Sequence, residues 1–240
     1  MNLSIVVPVK NEAENIVPLL SEFATLRERI PVDEVIYVDD GSTDGTLDIL
    51  KGVRDEFPFL RIVSHSRSAG QSAALWTGIR ASANPVVATI DGDRQNDPAD
   101  LAKLFDRFCS RAASGGPLMV MGQRAQRRDN FVRRLSSRIA NRIRSRMLRD
   151  GTRDTGCSLK LFRRADYLNL PYFDHMHRFL PALMRRQGVE VDHIDVNHRP
   201  RVSGVSKYGT WDRLWTGIAD LLGVMWLRRR AYPVLTILEE

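Results

Sequence analysis

The chain has 240 residues, with 43% hydrophobic and 27% charged side chains and a net charge of +7, values ordinary for a soluble globular protein with one large or two small domains. The two cysteines, Cys109 and Cys157, lie far apart, so a disulfide framework and a cysteine metal motif are excluded. No secretory signal opens the sequence and no run of 18 apolar residues occurs, so we expect a cytoplasmic protein without a transmembrane helix.

Four apolar runs of strand length alternate with helical patterns in the first 110 residues. The spacing predicts strands at 3–9, 34–39, 60–63 and 85–90, and helices at 15–29, 45–56, 71–82 and 97–109. This alternation is typical of a parallel sheet with helices on both faces. In such sheets, ligands bind outside the carboxyl ends of the strands.

Polar residues follow each of these strands, and the group that most clearly suggests a function is Asp-Gly-Asp at residues 91–93. It places Asp91 and Asp93 at the end of the fourth strand, with Gln95 two positions further on. Carboxylate and amide oxygens suit hard cations such as Mg²⁺ and Mn²⁺. An ordinary polar turn also fits these residues when they are taken alone. The convergence of four polar strand ends in one crevice favours a metal that holds a diphosphate.

The usual phosphate-binding glycine loops are missing. The first strand is not followed by a Gly-x-Gly-x-x-Gly pattern, and the sequence contains no Gly-x-x-x-x-Gly-Lys-Ser/Thr run. A dinucleotide-binding fold and a P-loop are therefore disfavoured. We expect metal and arginine to hold the phosphates.

The second half of the chain is strongly basic. Residues 1–110 carry 11 Lys and Arg against 17 Asp and Glu, a net charge of −6, whereas residues 111–240 carry 25 against 12, a net charge of +13. After a predicted strand at 118–122, an arginine-rich amphipathic helix is expected at 128–149. Such a helix suits an anionic membrane interface, or it packs its apolar stripe on its own core. RNA binding is the weakest alternative because aromatic stacking residues are scarce.

The remaining elements complete the predicted domain. Residues 154–162 indicate a loop entering a strand, 175–186 a helix and 189–196 a strand. A basic loop at 199–208 places cations beside flexible backbone, as a phosphate-closing loop requires, although a plain surface loop also fits. The final helix, at 210–230, combines Trp residues with three terminal arginines. It either lies on a membrane interface or docks on the domain.

Three motifs together resemble those of family 2 glycosyltransferases of the GT-A fold. They are Val-Val-Pro-Val-Lys-Asn-Glu at 6–12, Val-Asp-Asp-Gly-Ser-Thr-Asp-Gly-Thr at 38–46 and Asp-Gly-Asp-Arg-Gln at 91–95. Residues 154–157 and 201–208 resemble the branch that includes dolichol-phosphate mannose synthase and bacterial polyprenyl-phosphate sugar transferases. The resemblance covers nearly the whole chain. It implies an α/β GT-A fold, with a Rossmann-like, mostly parallel sheet and added basic amphipathic helices.

The resemblance also implies an activity. We expect inverting, metal-dependent transfer of a sugar from a UDP- or GDP-sugar to an undecaprenyl- or dolichyl-type polyprenyl phosphate, at the cytoplasmic membrane face. The expected layout is a transferase domain at 1–210, with a nucleotide and metal half at 1–110 and an acceptor half at 111–210, followed by a membrane-interface helix at 211–240. The expected partners are the donor, the lipid acceptor and an anionic membrane surface, with no nucleic acid and with a homo-oligomer left open.

Site residues follow from the same resemblance. The metal, Mg²⁺ or Mn²⁺, would be held by Asp91, Asp93 and Gln95. The expected donor-binding and phosphate-binding residues are these three together with Pro8, Val9, Asn11, Glu12, Asp40, Gly70, Gly92, Arg124, Arg201, Ser206 and Lys207. The expected catalytic residues are Asp91, Asp93, Arg124, Asp154, Arg201 and Lys207.

Two departures from the branch pattern bear on these assignments. Arg94 stands where an apolar residue is common, and residues 154–160 differ from the commoner Ser-Gly-Phe-Arg continuation, which leaves the sugar-side role of Asp154 open.

The two possible acceptors differ in the catalysis that they need. A lipid phosphate needs no general base, whereas a hydroxyl acceptor needs one. The alternative to the polyprenyl-phosphate acceptor is transfer to a hydroxyl of a glycolipid or polysaccharide. A non-catalytic membrane- or RNA-binding module is a remote one.

Overall fold

A computed structural model describes residues 1–112, 115–124, 147–148, 151–152, 154–200 and 210–230. Over these residues, the protein forms a seven-stranded sheet with helices on both faces. The strands are β1 (Leu3–Val9), β2 (Val32–Asp39), β3 (Leu60–Ser64), β4 (Val86–Thr89), β5 (Leu118–Arg124), β6 (Lys160–Arg163) and β7 (Glu190–Val196). The described helices are α1 (Ile16–Arg27), α2 (Thr46–Gly52), α3 (Gln71–Ala81), α4 (Asp100–Ala112), α5 (Arg164–Leu168), α6 (Leu180–Arg186) and α7 (Thr210–Arg229).

The sheet is mostly parallel, as the sequence predicts. The strand order is β3-β2-β1-β4-β6-β5-β7, and only β6 runs against its neighbours, β4 and β5. The pairs β1–β2, β1–β4, β2–β3 and β5–β7 are parallel. The carboxyl ends of β1, β2, β3 and β4 therefore meet along one edge, where the predicted site residues lie.

Two apolar clusters cover the two faces of the sheet. Alternate residues of β1 point to opposite clusters, with Ile5 and Val7 on one side and Val6 on the other. All three are fully buried, which explains why the strand is a continuous apolar run rather than an alternating one. Helices α1, α2 and α4 pack on the first face, and α3, α5, α6 and α7 contribute to the second.

Most predicted elements are confirmed, and the differences occur at their ends. The helix predicted at 175–186 is instead a 3-10 turn, Met176–Arg178, followed by α6 with Pro181 in its first turn, a position that proline favours. The helix predicted at 45–56 ends at Gly52, a residue that weakens helices. Helix α5 has too few residues to show a helical period and was not predicted. Most of the helix predicted at 128–149 lies outside the described residues, which include only Met147 and Leu148.

Candidate active site

Two loops at the carboxyl ends of β1 and β2 are joined by reciprocal hydrogen bonds. Asn11 donates its N–H to Ser42 Oγ at 2.8 Å and accepts the Thr43 N–H on Oδ1 at 2.8 Å. Its φ of 54° lies in the left-handed region, which asparagine tolerates better than most residues. The Glu12 N–H donates to Thr46 Oγ1 at 2.9 Å. Two predicted donor-binding residues, Asn11 and Glu12, are thereby held beside the end of β2.

Asp40 anchors the loop that precedes α3. Its Oδ1 accepts from His65 Nδ1 and from the Ala69 N–H, both at 2.8 Å. Its Oδ2 accepts from Ser68 Oγ at 2.7 Å and from the Gly70 N–H at 2.9 Å. Burial alone would raise the pKa of Asp40, but these hydrogen bonds lower it below its usual value. The ionised carboxylate thus fixes Gly70, a predicted donor-binding residue, beside the end of β2.

The predicted metal-binding turn follows β4 and is tied to two other elements. Asp91 accepts from Gln71 Nε2 of α3 on Oδ1 at 2.7 Å, and its N–H donates to Ser158 Oγ, before β6, at 2.9 Å. Asp93 Oδ1 accepts the Gln95 N–H at 3.1 Å. The three predicted metal ligands, Asp91, Asp93 and Gln95, therefore share one short turn at the edge of the sheet.

Gly92 lies directly against the end of β1. A Cβ atom at Gly92 would lie 2.4 Å from Val9 Cγ1 and 3.5 Å from the Pro8 carbonyl oxygen. Side-chain carbons do not approach so closely as the first of these distances, and Val9 is itself buried. The close approach, rather than any special backbone conformation, requires glycine here. It also brings Pro8 and Val9, two further predicted donor-binding residues, against the predicted metal-binding turn.

The two carboxylates repel each other. Burial raises the pKa of Asp91 to about 6, the charge of Asp93 adds to the shift, and the cations Lys160 and Arg124 oppose it. A divalent cation between the carboxylates would relieve this repulsion, so the donor set fits Mg²⁺ or Mn²⁺. No three His, Cys, Asp or Glu side chains of the described residues form a metal-binding group. A cation here would therefore take other ligands from Gln95, water or substrate oxygens.

Arg124 and Asp154 form a bidentate ion pair beside this turn. Arg124 Nε lies 2.5 Å from Asp154 Oδ2 and Nη2 lies 2.7 Å from Oδ1, with the side chains only 13% and 10% exposed. Burial would lower the pKa of Arg124, but the pair with Asp154 raises it. The Gly156 N–H also donates to Asp154 Oδ1, at 3.2 Å. Both oxygens of Asp154 are thus engaged, and the carboxylate orients the arginine.

Three predicted phosphate-binding residues, Arg201, Ser206 and Lys207, lie outside the described residues. The segment immediately before them is hydrogen-bonded to the predicted metal-binding turn. The Arg199 N–H donates to the Gln95 carbonyl at 2.8 Å, and Asn96 forms an isolated bridge with His198. The predicted basic loop therefore begins beside the predicted metal-binding turn.

Four residues of this region were not assigned a role from the sequence: Gln71, Ser158, Lys160 and His177. Gln71 and Ser158 bond to Asp91 as described above, and Lys160 and His177 line a cavity with it. Ser158 and Lys160 belong to the segment 154–160 that departs from the branch pattern. That departure from the branch pattern could have pointed to Ser158 and Lys160 as site residues. Nothing in the sequence around His177 indicates that it lies at the site.

Comparison with known proteins identifies relatives over nearly the whole chain. Residues 4–170 match the family model described as Glycosyl transferase family 2. The sequence is 38% identical to a dodecaprenyl-phosphate galacturonate synthase of Rhizobium johnstonii over 97% of this chain and 69% of that protein. It is 32% identical to an undecaprenyl-phosphate 4-deoxy-4-formamido-L-arabinose transferase of Pectobacterium carotovorum over 86% of this chain and 62% of that protein. The matched part thus spans between three fifths and seven tenths of these relatives.

Solved structures share the fold at low sequence identity. Glucosyl-3-phosphoglycerate synthase from Mycobacterium tuberculosis, in complex with Mn²⁺, UDP-glucose and glycerol 3-phosphate, matches with a TM-score of 0.66 and 16% identity, over 97% of this chain and 82% of that one. Mannosyl-3-phosphoglycerate synthase from Rubrobacter xylanophilus matches with a TM-score of 0.65 and 17% identity, over 100% and 77%. These likenesses confirm the predicted GT-A-like mixed α/β architecture.

Proposed function

The chain belongs to glycosyl transferase family 2, and from that premise we propose that it transfers a sugar from a nucleotide-sugar to a polyprenyl phosphate. The observation that carries this proposal is the turn at 91–95, which gathers two mutually repelling carboxylates and an amide at the edge of a GT-A-like sheet. One of these relatives is named a dodecaprenyl-phosphate galacturonate synthase and the other an undecaprenyl-phosphate 4-deoxy-4-formamido-L-arabinose transferase. Their shared acceptor class supports a lipid phosphate here.

In this proposal Asp91, Asp93 and Gln95 hold Mg²⁺ or Mn²⁺. Bound there, the cation would neutralise charge on the departing nucleoside diphosphate. The loops that carry Asn11, Glu12 and Gly70 form the nucleotide side of the crevice. They are held there by the hydrogen bonds between the β1 and β2 loops and by the carboxylate of Asp40.

Arg124 supplies a fixed positive charge close to Asp91 of this turn. Its guanidinium is held by both oxygens of Asp154, so Asp154 serves to orient a cation and is poorly placed to accept a proton from a hydroxyl acceptor. A phosphate acceptor is already ionised near neutral pH and needs no such base. This pairing favours the polyprenyl phosphate over the hydroxyl alternative. Attack of the phosphate oxygen on the anomeric carbon, in line with the leaving diphosphate, would invert its configuration.

The lipid acceptor places the reaction at a membrane surface. Among the described helices, none has the length and apolar character needed to cross a bilayer. Helix α7 instead presents exposed Ile218, Leu222 and Trp226 next to the terminal arginines. We infer peripheral attachment to the cytoplasmic membrane face through this helix, assisted by the basic segment at 128–149.

The direct test is a transfer assay with purified protein, Mn²⁺, labelled UDP- or GDP-sugars and detergent-dispersed undecaprenyl phosphate. Label is expected in the lipid fraction, and Asp93→Asn should lower the rate about 100-fold or more because one carboxylate ligand is lost. Asp48→Asn, which alters an exposed carboxylate of α2, is the matched control and should retain the wild-type rate. Label found only on a glycolipid or polysaccharide hydroxyl supplied in parallel would contradict the proposed acceptor.

A further inference from the structure

Helix α7 carries a single acid within its apolar stretch. Asp220 is the only charged residue between positions 214 and 227 of the sequence. Its side chain is 18% exposed, and its Oδ2 atom is buried and accepts no hydrogen bond from the described residues. A buried carboxylate costs stability unless a positive charge or a donor lies beside it. The position of Asp220 therefore requires a partner on the domain.

That partner is His175, in the segment between α5 and α6. Its Nδ1 lies 3.3 Å from Asp220 Oδ2, and its Nε2 lies 3.7 Å from Asp174 Oδ2. The backbone of His175 has a φ of 62°, in the left-handed region that is uncommon for residues other than glycine. Such a conformation persists only where the surrounding structure fixes it. The imidazole is thus held between a carboxylate of α7 and a carboxylate of its own segment.

The same segment contacts the first turn of α3. His177 Nδ1 shares a hydrogen bond with Ser72 Oγ at 2.7 Å, and the His177 N–H donates to the same oxygen at 3.4 Å. Ser72 is fully buried in that turn. Asp174 Oδ1 lies against Gly70, because a Cβ atom added to Gly70 would be 3.6 Å from it. Residues 174–177 therefore join α7 to the start of α3.

The start of α3 is in turn part of the candidate donor site. Gln71, its first residue, donates from Nε2 to Asp91 Oδ1 at 2.7 Å, and the Gly70 N–H donates to Asp40 Oδ2 at 2.9 Å. A shift of this turn would move Gln71 relative to Asp91. Displacements of about 1 Å at a binding site are enough to lower affinity or rate severely.

We propose that His175 is a positioning residue that couples the docking of α7 to the donor site, through Asp220 on one side and the first turn of α3 on the other. Docking of α7 and binding of the donor then favour each other, because coupling between two binding events is reciprocal. This inference rests on the proposed function, because it takes the crevice beside the turn at 91–95 to hold the nucleotide.

The test removes the contact from each side in the intact chain. Asp220→Asn removes the charge on α7 and keeps the size of the side chain, and His175→Asn removes the imidazole while asparagine tolerates the left-handed backbone. Each variant is expected to weaken Mn²⁺-dependent binding of UDP or GDP about threefold to tenfold in calorimetry. The double variant should lose no more than the weaker-binding single variant, because both changes remove one and the same contact.

Hydrogen exchange of the metal-free protein provides a readout that needs no ligand. The Ala69 and Gly70 N–H groups donate to Asp40, and the Ala74 N–H donates to the Gly70 carbonyl. Amides at 69–74 should exchange about threefold faster or more in both variants, because this turn loses its support. Amides of β1 and β2 should keep wild-type protection.

Arg186→Met is the matched control, because it loosens α7 two turns away from Asp220. Arg186 donates from Nε to the Leu227 carbonyl at 2.9 Å and from Nη2 to the Arg230 carbonyl at 3.3 Å. This variant should lower the thermal unfolding midpoint about as much as the other two, yet keep wild-type nucleotide affinity and wild-type exchange at 69–74. If His175→Asn does not fold, His175→Gly replaces it, because glycine adopts a positive φ freely.

The outcomes are distinct. Unchanged nucleotide affinity or unchanged exchange at 69–74 in Asp220→Asn and the His175 variant overturns the inference and leaves the proposed function standing. Additive losses in the double variant, or an equal loss of affinity in Arg186→Met, overturn it as well, since they would indicate general destabilisation. Absence of Mn²⁺-dependent binding of every nucleotide and nucleotide-sugar by the wild type rejects the proposed function itself, and the inference with it.

Discussion

The absence of a side chain at Gly92 lets the predicted metal-binding turn lie against the end of β1. Its φ is not in the left-handed region, and the obstacle to a Cβ atom is Val9 Cγ1 at 2.4 Å. We predict that Gly92→Ala displaces the turn, costs about 1–3 kcal/mol of stability as an overpacked site does, and weakens Mn²⁺-dependent nucleotide binding about tenfold or more. Chemical denaturation and calorimetry measure the two effects.

The partner side chain provides the control for that prediction. Val9→Ala removes the clashing methyl group, so the double variant Gly92→Ala with Val9→Ala should recover most of the lost nucleotide affinity. Gly52→Ala is the matched substitution, because nothing lies within 4 Å of its added Cβ, and it should leave binding unchanged. An uncorrected loss in the double variant would show that Gly92 acts through something other than this contact.

We predict that Asp91 makes binding of the proposed metal depend on pH. Its pKa of about 6, against a usual value of 3.8, means that protonation stabilises the metal-free fold and that this stabilisation is lost as the pH rises through 6. Metal requires the ionised form, so Mn²⁺ affinity should be constant well above pH 6 and fall about tenfold from pH 7 to pH 5. Electron paramagnetic resonance titration of free Mn²⁺ measures this. A flat profile, or the same slope in Asp91→Asn, would refute the assignment.

At the scale of elements, Glu22 of α1 joins the predicted metal-binding turn to the start of the predicted basic loop. Its carboxylate lies 3.2 Å from Arg94 Nη2 and 2.7 Å from Arg199 Nη1, and Arg199 Nη2 lies 2.9 Å from Asp97 Oδ1. Arg94 adopts a φ of 58°, which is uncommon for a residue other than glycine. The ion pair between Arg94 and Glu22 thus ties this turn, with its unusual backbone conformation, to α1.

We predict that Glu22→Gln loosens this turn without unfolding the protein. These side chains remain about a quarter to a third exposed, so the loss of stability should stay within about 1 kcal/mol. Mn²⁺ affinity should fall about threefold to tenfold because Gln95 and Asp93 lose a fixed position. Arg107→Met, which breaks the 2.6 Å pair between α4 and Asp192, is the control and should leave Mn²⁺ affinity unchanged. Equal effects from both variants would indicate general destabilisation.

The positions of the strand ends could be predicted from the sequence, but the placement of β6 between β4 and β5 could not. Residues 91–93 follow an apolar run, and the parallel rule alone places them at the same edge of the sheet as the ends of β1 and β2. Strand β6 is only four residues long, and no local period shows that it runs antiparallel between β4 and β5. The pairing of β6 with β4 brings Lys160 close to Asp91. The cavity that these two residues line therefore depends on a pairing between segments distant in sequence.

At the scale of the whole molecule, the local sequence pattern also does not reveal which side of α7 packs on the domain. Its apolar residues were predicted correctly as a helix, but they occupy more than one side, so periodicity did not reveal which side the domain covers. Val224 is buried, and Arg186 of α6 donates from Nε to the Leu227 carbonyl at 2.9 Å. The helix therefore docks on the domain through the side that carries Val224, and membrane contact stays a prediction for its uncovered face.

The uncovered face of α7 is a ridge of three side chains spaced four residues apart. Ile218, Leu222 and Trp226 are 41%, 56% and 59% exposed, and the Arg230 guanidinium lies 5.8 Å from the centre of the Trp226 ring. An apolar ridge that ends in arginines suits the boundary between acyl chains and anionic headgroups. The proposed lipid acceptor requires the active site to approach such a boundary, so we expect this ridge to bind the bilayer.

The prediction is that vesicles of phosphatidylglycerol and phosphatidylethanolamine retain the wild-type protein. Replacing Ile218, Leu222 and Trp226 together by Ser should reduce the bound fraction about tenfold or more, since each buried apolar side chain contributes about 1.5–3 kcal/mol when fully covered. Val17→Ser, which changes an exposed valine of α1, is the control and should sediment like the wild type. High salt should release part of the protein, because it screens the attraction between the arginines and the anionic headgroups but does not weaken the burial of the apolar side chains. If the triple variant still sediments fully, the ridge is not the membrane contact, and the arginine-rich segment at 128–149 would have to carry attachment alone.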